Sequence, residues 1–379
     1  MPDPTAETAS EITIKPVYLA DKGVLQSYSC YIRRILVGLA DTARGAVVVC
    51  PDHGQAEGVL CPSVERIEHP ALRLPIFWHQ NRRLLLDRLL RQRPTLLHAF
   101  YPGQIHLAQW LADELDVPYV ITFHQAPSRW MRFEKPIRHA ACIIAPSGPI
   151  AERLKKQWPG LTERIVCVPV GSFAEDQCSC FSRPGTIPSL VAVQPLDSFE
   201  VVKPLLNAIR HLALDGLELI AAIMGQGRAE RDIRRHIRSL GLTSVVALVP
   251  PMHPVRDVFS GADIYLHLQD RGCFDAQLLE ALAVGLAVAG CREESSGLLI
   301  EGQTALFWDA HDELSIYSCL KTMLTQREKT RQLAQNAQAY LSEHHSVSRM
   351  VERLAEIYAQ AQLNRGFPEP TGQAAPQSA

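Results

Sequence analysis

Residues 263–290 read DIYLHLQDRGCFDAQLLEALAVGLAVAG, and their pattern decides the class of fold. An apolar run with Ile and Tyr at 263–268 predicts a strand, a polar turn containing Gly272 follows, and Asp275 stands where a helix cap belongs. Residues 276–284 then predict a helix and 287–290 another strand. Strand, helix and strand in so short a span form a unit that requires a parallel sheet. On the helix, Glu280 shares its face with Ala276, Ala283 and Val284 by the i±3 and i±4 rule. A carboxylate among small apolar groups needs partners. They are either the hydroxyls of a ligand or a loop amide or arginine of the chain itself.

The alternation continues in both directions. Strands are expected at 15–20, 46–50, 95–100, 119–124, 142–146 and 164–170, with helices at 27–42, 82–92, 104–115 and 149–158. A stretch at 172–188 containing Cys178, Cys180, Pro184 and Gly185 has no periodicity and reads as a linker, its two cysteines as loop thiols without a role. A second set follows, with strands at 189–194, 217–224, 245–249, 263–268 and 287–290 and helices at 203–214, 229–240, 255–261 and 276–284. The expected fold is α/β, with two facing Rossmann-like domains at 1–172 and 189–345 joined by a linker at 173–188. In open parallel sheets ligands sit beyond the carboxyl ends of the strands, so the expected site is the cleft between the domains. Helices at 313–325 and 328–344 lead into a last one at 348–362, and the tail at 366–379, rich in Pro, Gly, Gln and Ala, is expected to be disordered.

Composition narrows the function. The 379 residues are 47% apolar and 21% charged with a net charge of -2, which suits a soluble globular protein and excludes a polybasic nucleic-acid binder. The longest apolar run, 281–290, is far short of the ~20 residues that cross a bilayer, and residues 1–16 lack the basic and apolar halves of a signal peptide. A cytoplasmic location is expected, with peripheral membrane contact left open. Ten cysteines show no CxxC pair or zinc spacing and read as reduced. No D-x-D is present, so no metal is expected.

An ordered set of segments then resembles one family. EALAVGLAVAG at 280–290 is similar to the "EA-A-G-PV" stretch of the retaining glycosyltransferases of family 4. VAVQPL at 191–196 with KPLLNA at 203–208 resembles that family's "GRL…KG…L..A", and MGQG at 224–227 its "GxG". DVFSGADIYL at 257–266, SSGLLIEGQTAL at 295–306, VITFH at 120–124, IAPS at 144–147 and IVCVPVG at 165–171 follow in register. The resemblance spans roughly residues 15–362.

The resemblance implies the GT-B fold, with a helix at 346–365 crossing back to the first, acceptor-side domain. It also implies transfer of a sugar, with retention, from a nucleotide diphosphate sugar to a glycan, lipid-linked or small-molecule acceptor, without any cofactor. Lys203 would hold the diphosphate, Glu280 the ribose and His124 the transferred sugar, with Lys203 and His124 as the catalytic pair. Gly23, Gly225 and Gly227 would bring backbone to the donor. The sequence departs from the family at four points. Gly272 stands where a second Glu belongs, so Asp270 or Asp275 would contact the donor sugar instead. Pro195 replaces the diphosphate arginine, for which Arg228 or Arg271 could substitute; Pro204 replaces a glycine, and Gly23 alone remains of a pair. His98, Tyr101, His106 and Arg129 could line an acceptor pocket, and Trp78, Trp110 or Trp130 could stack on sugars. The rival readings are a catalytically degenerate GT-B protein that binds a nucleotide, glycan or partner without turnover, a two-lobed solute-binding protein and a sugar-nucleotide epimerase.

Overall fold

The computed structural model describes residues 14–41, 45–51, 64–69, 78–101, 103–125, 127, 135–252, 254–292 and 295–363. The tail expected at 366–379 lies outside them, as do Arg129, Trp130 and the side chain of Trp78.

The first domain runs β1 (Pro16–Leu19), α1 (Lys22–Asp41), β2 (Ala46–Cys50), β3 (Val64–Glu68), α2 (Trp78–Gln92), β4 (Leu96–Tyr101), α3 (Ile105–Leu115), β5 (Tyr119–Phe123), α4 (Lys135–His139), β6 (Cys142–Ala145), α5 (Gly148–Gln157) and β7 (Ile165–Cys167). Its strands form one sheet in the order β3-β2-β1-β4-β5-β6-β7, with every ladder parallel. Runs such as AVVVC in β2 and YVITF in β5 are buried throughout because helices cover both faces of such a sheet.

The second domain runs β8 (Ser189–Val193), α6 (Phe199–Leu214), β9 (Ile220–Met224), α7 (Glu230–Ser239), β10 (Val246–Val249), α8 (Val255–Phe259), β11 (Ile264–His267), α9 (Ala276–Val284), β12 (Ala287–Gly290), β13 (Ala305–Phe307), α10 (Glu313–Thr325), α11 (Arg327–His344) and α12 (Val347–Leu363). Its parallel sheet has the order β10-β9-β8-β11-β12-β13. Both orders reverse at one point, between β1 and β4 and between β8 and β11, and each reversal opens a crevice at the strand ends.

Several boundaries differ from the sequence expectation. The short β3, α4 and β13 were not expected, and α1 and α6 begin earlier than their apolar periodicity, at Lys22 and Phe199. For α1 the reason is a cap, since Asp21 Oδ1 accepts from Val24 N at 2.9 Å. α1 also breaks at Tyr28, whose φ and ψ of -132° and 21° are not helical. Cys178 and Cys180 are buried in the second core, where the Cys178 thiol donates to Gly285 O at 3.2 Å. No helix of the described residues is long and apolar enough to cross a membrane.

α12 returns to pack on α1 and β4 of the first domain. Its Tyr358 hydroxyl lies 3.0 Å from that of Tyr18 and 2.7 Å from His98 Nδ1, while His98 Nε2 meets Thr122 Oγ1 at 2.7 Å. Just before α12, Gly171 lies so close to the chain that a β-carbon there would be 2.6 Å from Val347 Cα and 2.8 Å from Ser346 O. These are backbone atoms and cannot rotate aside. Gly171→Ala should therefore lower unfolding free energy by about 1–3 kcal/mol, whereas Gly148→Ala, with nothing within 4 Å of the new carbon, should stay within about 0.5 kcal/mol of the parent. Urea denaturation of both variants tests the contrast.

Candidate active site

The two crevices face each other across one cavity of about 480 Å³. The first domain contributes Asp21, Gly23 and Val24 from the start of α1, Tyr28 from its break, Tyr101 from the end of β4, and His124 and Gln125 from the end of β5. The second contributes Val193 and Gln194 from the end of β8, then Arg271, Cys273, Phe274, Asp275, Ala276 and Gln277 from the turn after β11 and the start of α9. The domains pair backbone to backbone here, with Phe274 N donating to His124 O at 2.7 Å and Gln125 bridging Cys273.

His124 is 1% exposed, and neither ring nitrogen has a partner. Its ring stacks on Tyr28 with centroids 3.6 Å apart and on Phe100 at 5.6 Å. Burial, and then His98 nearby, push its pKa down to about 3, so the imidazole is neutral with one donor and one acceptor nitrogen. Gln194 Nε2 and Gln277 Oε1 also lack partners. Buried polar atoms without partners are costly, so these side chains bring unused hydrogen-bonding groups to the cavity.

Arg271 is the cation among the described residues that line the cavity, with Nη2 3.8 Å from Asp275 Oδ2. Desolvation works against its charge, and Asp275 together with Cys273, Tyr265 and Tyr28 outweighs it, so Arg271 holds its proton more tightly than a free arginine. Asp275 is itself a cap, its Oδ1 accepting from Gln277 N at 2.9 Å and Leu278 N at 3.2 Å.

The remaining sequence candidates lie elsewhere. Lys203 is absent from the cavity lining; it lies in the second turn of α6 with its side chain 45% exposed and Nζ 3.9 Å from Glu200 Oε2. Glu280 is 3% exposed and paired with Arg34 of α1 and, at 3.5 Å, with Arg256. Arg34 also donates to Gly171 O at 2.9 Å, and Arg256 Nε lies 3.0 Å from Glu175 Oε1. Gly225 and Gly227 let the turn after β9 lie against the one after β8, since β-carbons there would be 1.9 Å from Gln194 O and 2.4 Å from Leu196 O. They shape the loop that carries Gln194. Asp270 Oδ1 accepts from Gly272 N at 2.8 Å and Ser295 Oγ at 3.0 Å. Gly272 has φ +68°, a left-handed backbone in which a glutamate would be strained. His98 is a core residue, His106 sits exposed on α3, Trp110 lies under the Arg82 guanidinium, and Arg228 donates to Asp197 O at 3.0 Å.

Sequence reading missed Asp21, Tyr28, Gln125, Val193, Gln194, Cys273, Phe274 and Gln277 as cavity residues. For Asp21 a signal existed, an aspartate directly after a strand and three residues before an apolar helical residue. Among the described residues no group of three or more His, Cys, Asp and Glu side chains is arranged to hold a metal ion.

The comparisons agree with this architecture. The sequence profile of Glycosyltransferase Family 4 matches residues 31–171 and that of the Glycosyl transferase-like group matches residues 219–356. The chain is 24% identical over 312 residues to a D-inositol 3-phosphate glycosyltransferase of Rhodococcus erythropolis, covering 71% of this chain and 69% of that one. Among solved structures, a glycosyltransferase from Rickettsia africae superposes with a TM-score of 0.73 at 12% identity, over 93% of this chain and 100% of that one. Anabaena HepE in complex with UDP and glucose superposes with a TM-score of 0.71 at 15% identity, over 91% and 99%.

The neutral histidines set an acid limit on stability. His98 and His124 both have pKa values pushed down to about 3 by burial, whereas unfolded imidazoles take up protons near 6.5. Their contribution is complete above pH 6.5 and is lost as pH falls toward 3, at up to about 1.4 kcal/mol per pH unit for each. Thermal melts between pH 7 and 5 should show this slope, and His124→Phe should remove its share; an unchanged slope in the variant would contradict the assignment.

Proposed function

The chain belongs to the glycosyltransferases of family 4, and from that premise we propose that it moves a sugar from a nucleoside diphosphate sugar to a hydroxyl acceptor, with retention and without a metal ion. The observation that carries this reading is the cavity at the meeting of both strand-order reversals, bordered by the unpartnered nitrogens of His124. Bound UDP and glucose in the Anabaena structure support a nucleotide-sugar donor. A glycan, lipid-linked or small-molecule acceptor would enter from the first domain, and a cytoplasmic location suits such a donor.

Breaking the sugar–phosphate bond builds negative charge on the leaving diphosphate. Arg271 is the cation in the cavity, so it takes the role of counter-charge rather than Lys203. His124 stands on the sugar side, where a neutral imidazole donates one hydrogen bond and accepts another. Gly23 and the amides at the start of α1 meet the donor from the first domain. Glu280, held by two guanidinium groups, orients α9.

Arg271→Ala should lower turnover about 100-fold in a nucleotide-release assay across a panel of sugar nucleotides, while Lys203→Ala stays within about threefold. Product NMR should show the donor's anomeric configuration retained, and a chelator should leave the rate unchanged. Full activity in Arg271→Ala, or loss of activity in Lys203→Ala alone, would reverse the assignment.

A further inference from the structure

Resting on the donor reading above, we propose that Asp275 is an internal anion that competes with the donor phosphates for the amides at the start of α9. α9 opens beyond β11, at the reversal of strand order, and its first residues, Ala276 and Gln277, line the cavity with Asp275. Free amides at such a helix start bind anions well, because the helix dipole adds to their hydrogen bonds. Here they are not free. Asp275 Oδ1 accepts from Gln277 N at 2.9 Å and Leu278 N at 3.2 Å, and the residue is 6% exposed.

The site nevertheless asks for a ligand. Both ring nitrogens of His124, which is 1% exposed and lines the same cavity, have no partner, and neither do Gln194 Nε2 and Gln277 Oε1 on the opposite wall. The geometry also offers Asp275 a second position. Its Oδ2 lies 3.8 Å from Arg271 Nη2 and 3.7 Å from His267 Nδ1, both just beyond hydrogen-bond reach. A modest side-chain rotation would move the carboxylate from the amides to the guanidinium and leave the amides to a phosphate.

The charge count sets the consequence. Asp21 caps α1 on the facing wall as Asp275 caps α9, so two carboxylates and the one guanidinium of Arg271 line the cavity among the described residues. A diphosphate entering it meets net repulsion from these carboxylates, and at the amides of α9 it must displace Asp275. Asp275 is thus a specificity-determining residue, lowering affinity for the diphosphate while leaving the sugar contacts of His124 untouched.

Isothermal titration of the full chain with inorganic pyrophosphate, and with UDP as the first of a nucleoside diphosphate panel, tests this. Asp275→Asn keeps the cap and removes the charge, and Asp275→Gly frees the amides. Both should bind pyrophosphate and the preferred nucleotide about tenfold more tightly than the parent. Asp312→Asn, which alters the matching cap of α10, should change neither. Equal or weaker binding of both ligands by the Asp275 variants overturns the proposal, as does absence of binding to any form. If pyrophosphate binding tightens while no nucleotide binds any form, the internal anion stands and the nucleotide reading fails. If the nucleotide binds all forms equally, that reading stands and the internal anion fails. Should Asp275→Gly not fold, Asp275→Asn decides alone.

Discussion

A carboxylate buried between two guanidinium groups fixes how the two domains of this enzyme meet. Glu280 on α9 is paired with Arg34 on α1 and with Arg256, and Arg34 reaches on to the carbonyl of Gly171 at the domain junction. Removing one partner from such a cluster leaves a charge where water cannot reach it, at a cost of about 3–5 kcal/mol. The cluster is a constraint on geometry more than a source of stability, since apolar side chains of the same shape would hold the helices together as well. What it specifies is register. α1 and α9 are the helices that open at the two strand-order reversals, so clamping one to the other sets the distance between the walls of the cavity.

The same cluster separates what the sequence could tell from what it could not. The strand, helix and strand at 263–290 were legible because their signals are local: an apolar run, an aspartate cap, and a helix whose residues are almost all apolar. α9 and β12 begin and end where that pattern puts them. The burial of Glu280 was legible too, but its partners were not, because Arg34 lies in another domain and no spacing links the two. Lys203 shows a further limit. The apolar periodicity of its helix starts at that residue, yet the backbone enters the helix a turn earlier at Phe199, so Lys203 stands inside the helix, paired with Glu200, and not at its opening. In α1 the earlier start carries a cap, Asp21 on Val24 N, and at the break within the helix Tyr28 stacks on His124. Local pattern finds elements well; where an element starts, off by four or five residues in α6 and α1, is less legible.

The departure at Gly272 follows from one local conformation. Asp270 Oδ1 turns back to the amide of Gly272, which takes a left-handed backbone, and three residues later the Asp275 carboxylate closes the first turn of α9. A glutamate at 272 would carry a β-carbon into that left-handed turn, so the glycine and the tight loop require each other. With glycine at 272, the side chains that line the cavity with unpartnered polar atoms are His124, Gln194 and Gln277, and under the proposed function these would meet the donor sugar. All three are uncharged. In the proposed reaction the sugar end would be held by neutral hydrogen bonds, and the electrostatic part of catalysis would be concentrated on Arg271. In the proposed reaction, a single guanidinium shared between an internal carboxylate and a leaving phosphate would stabilise the phosphate more as its charge grows, which is the condition for favouring the transition state over the bound donor.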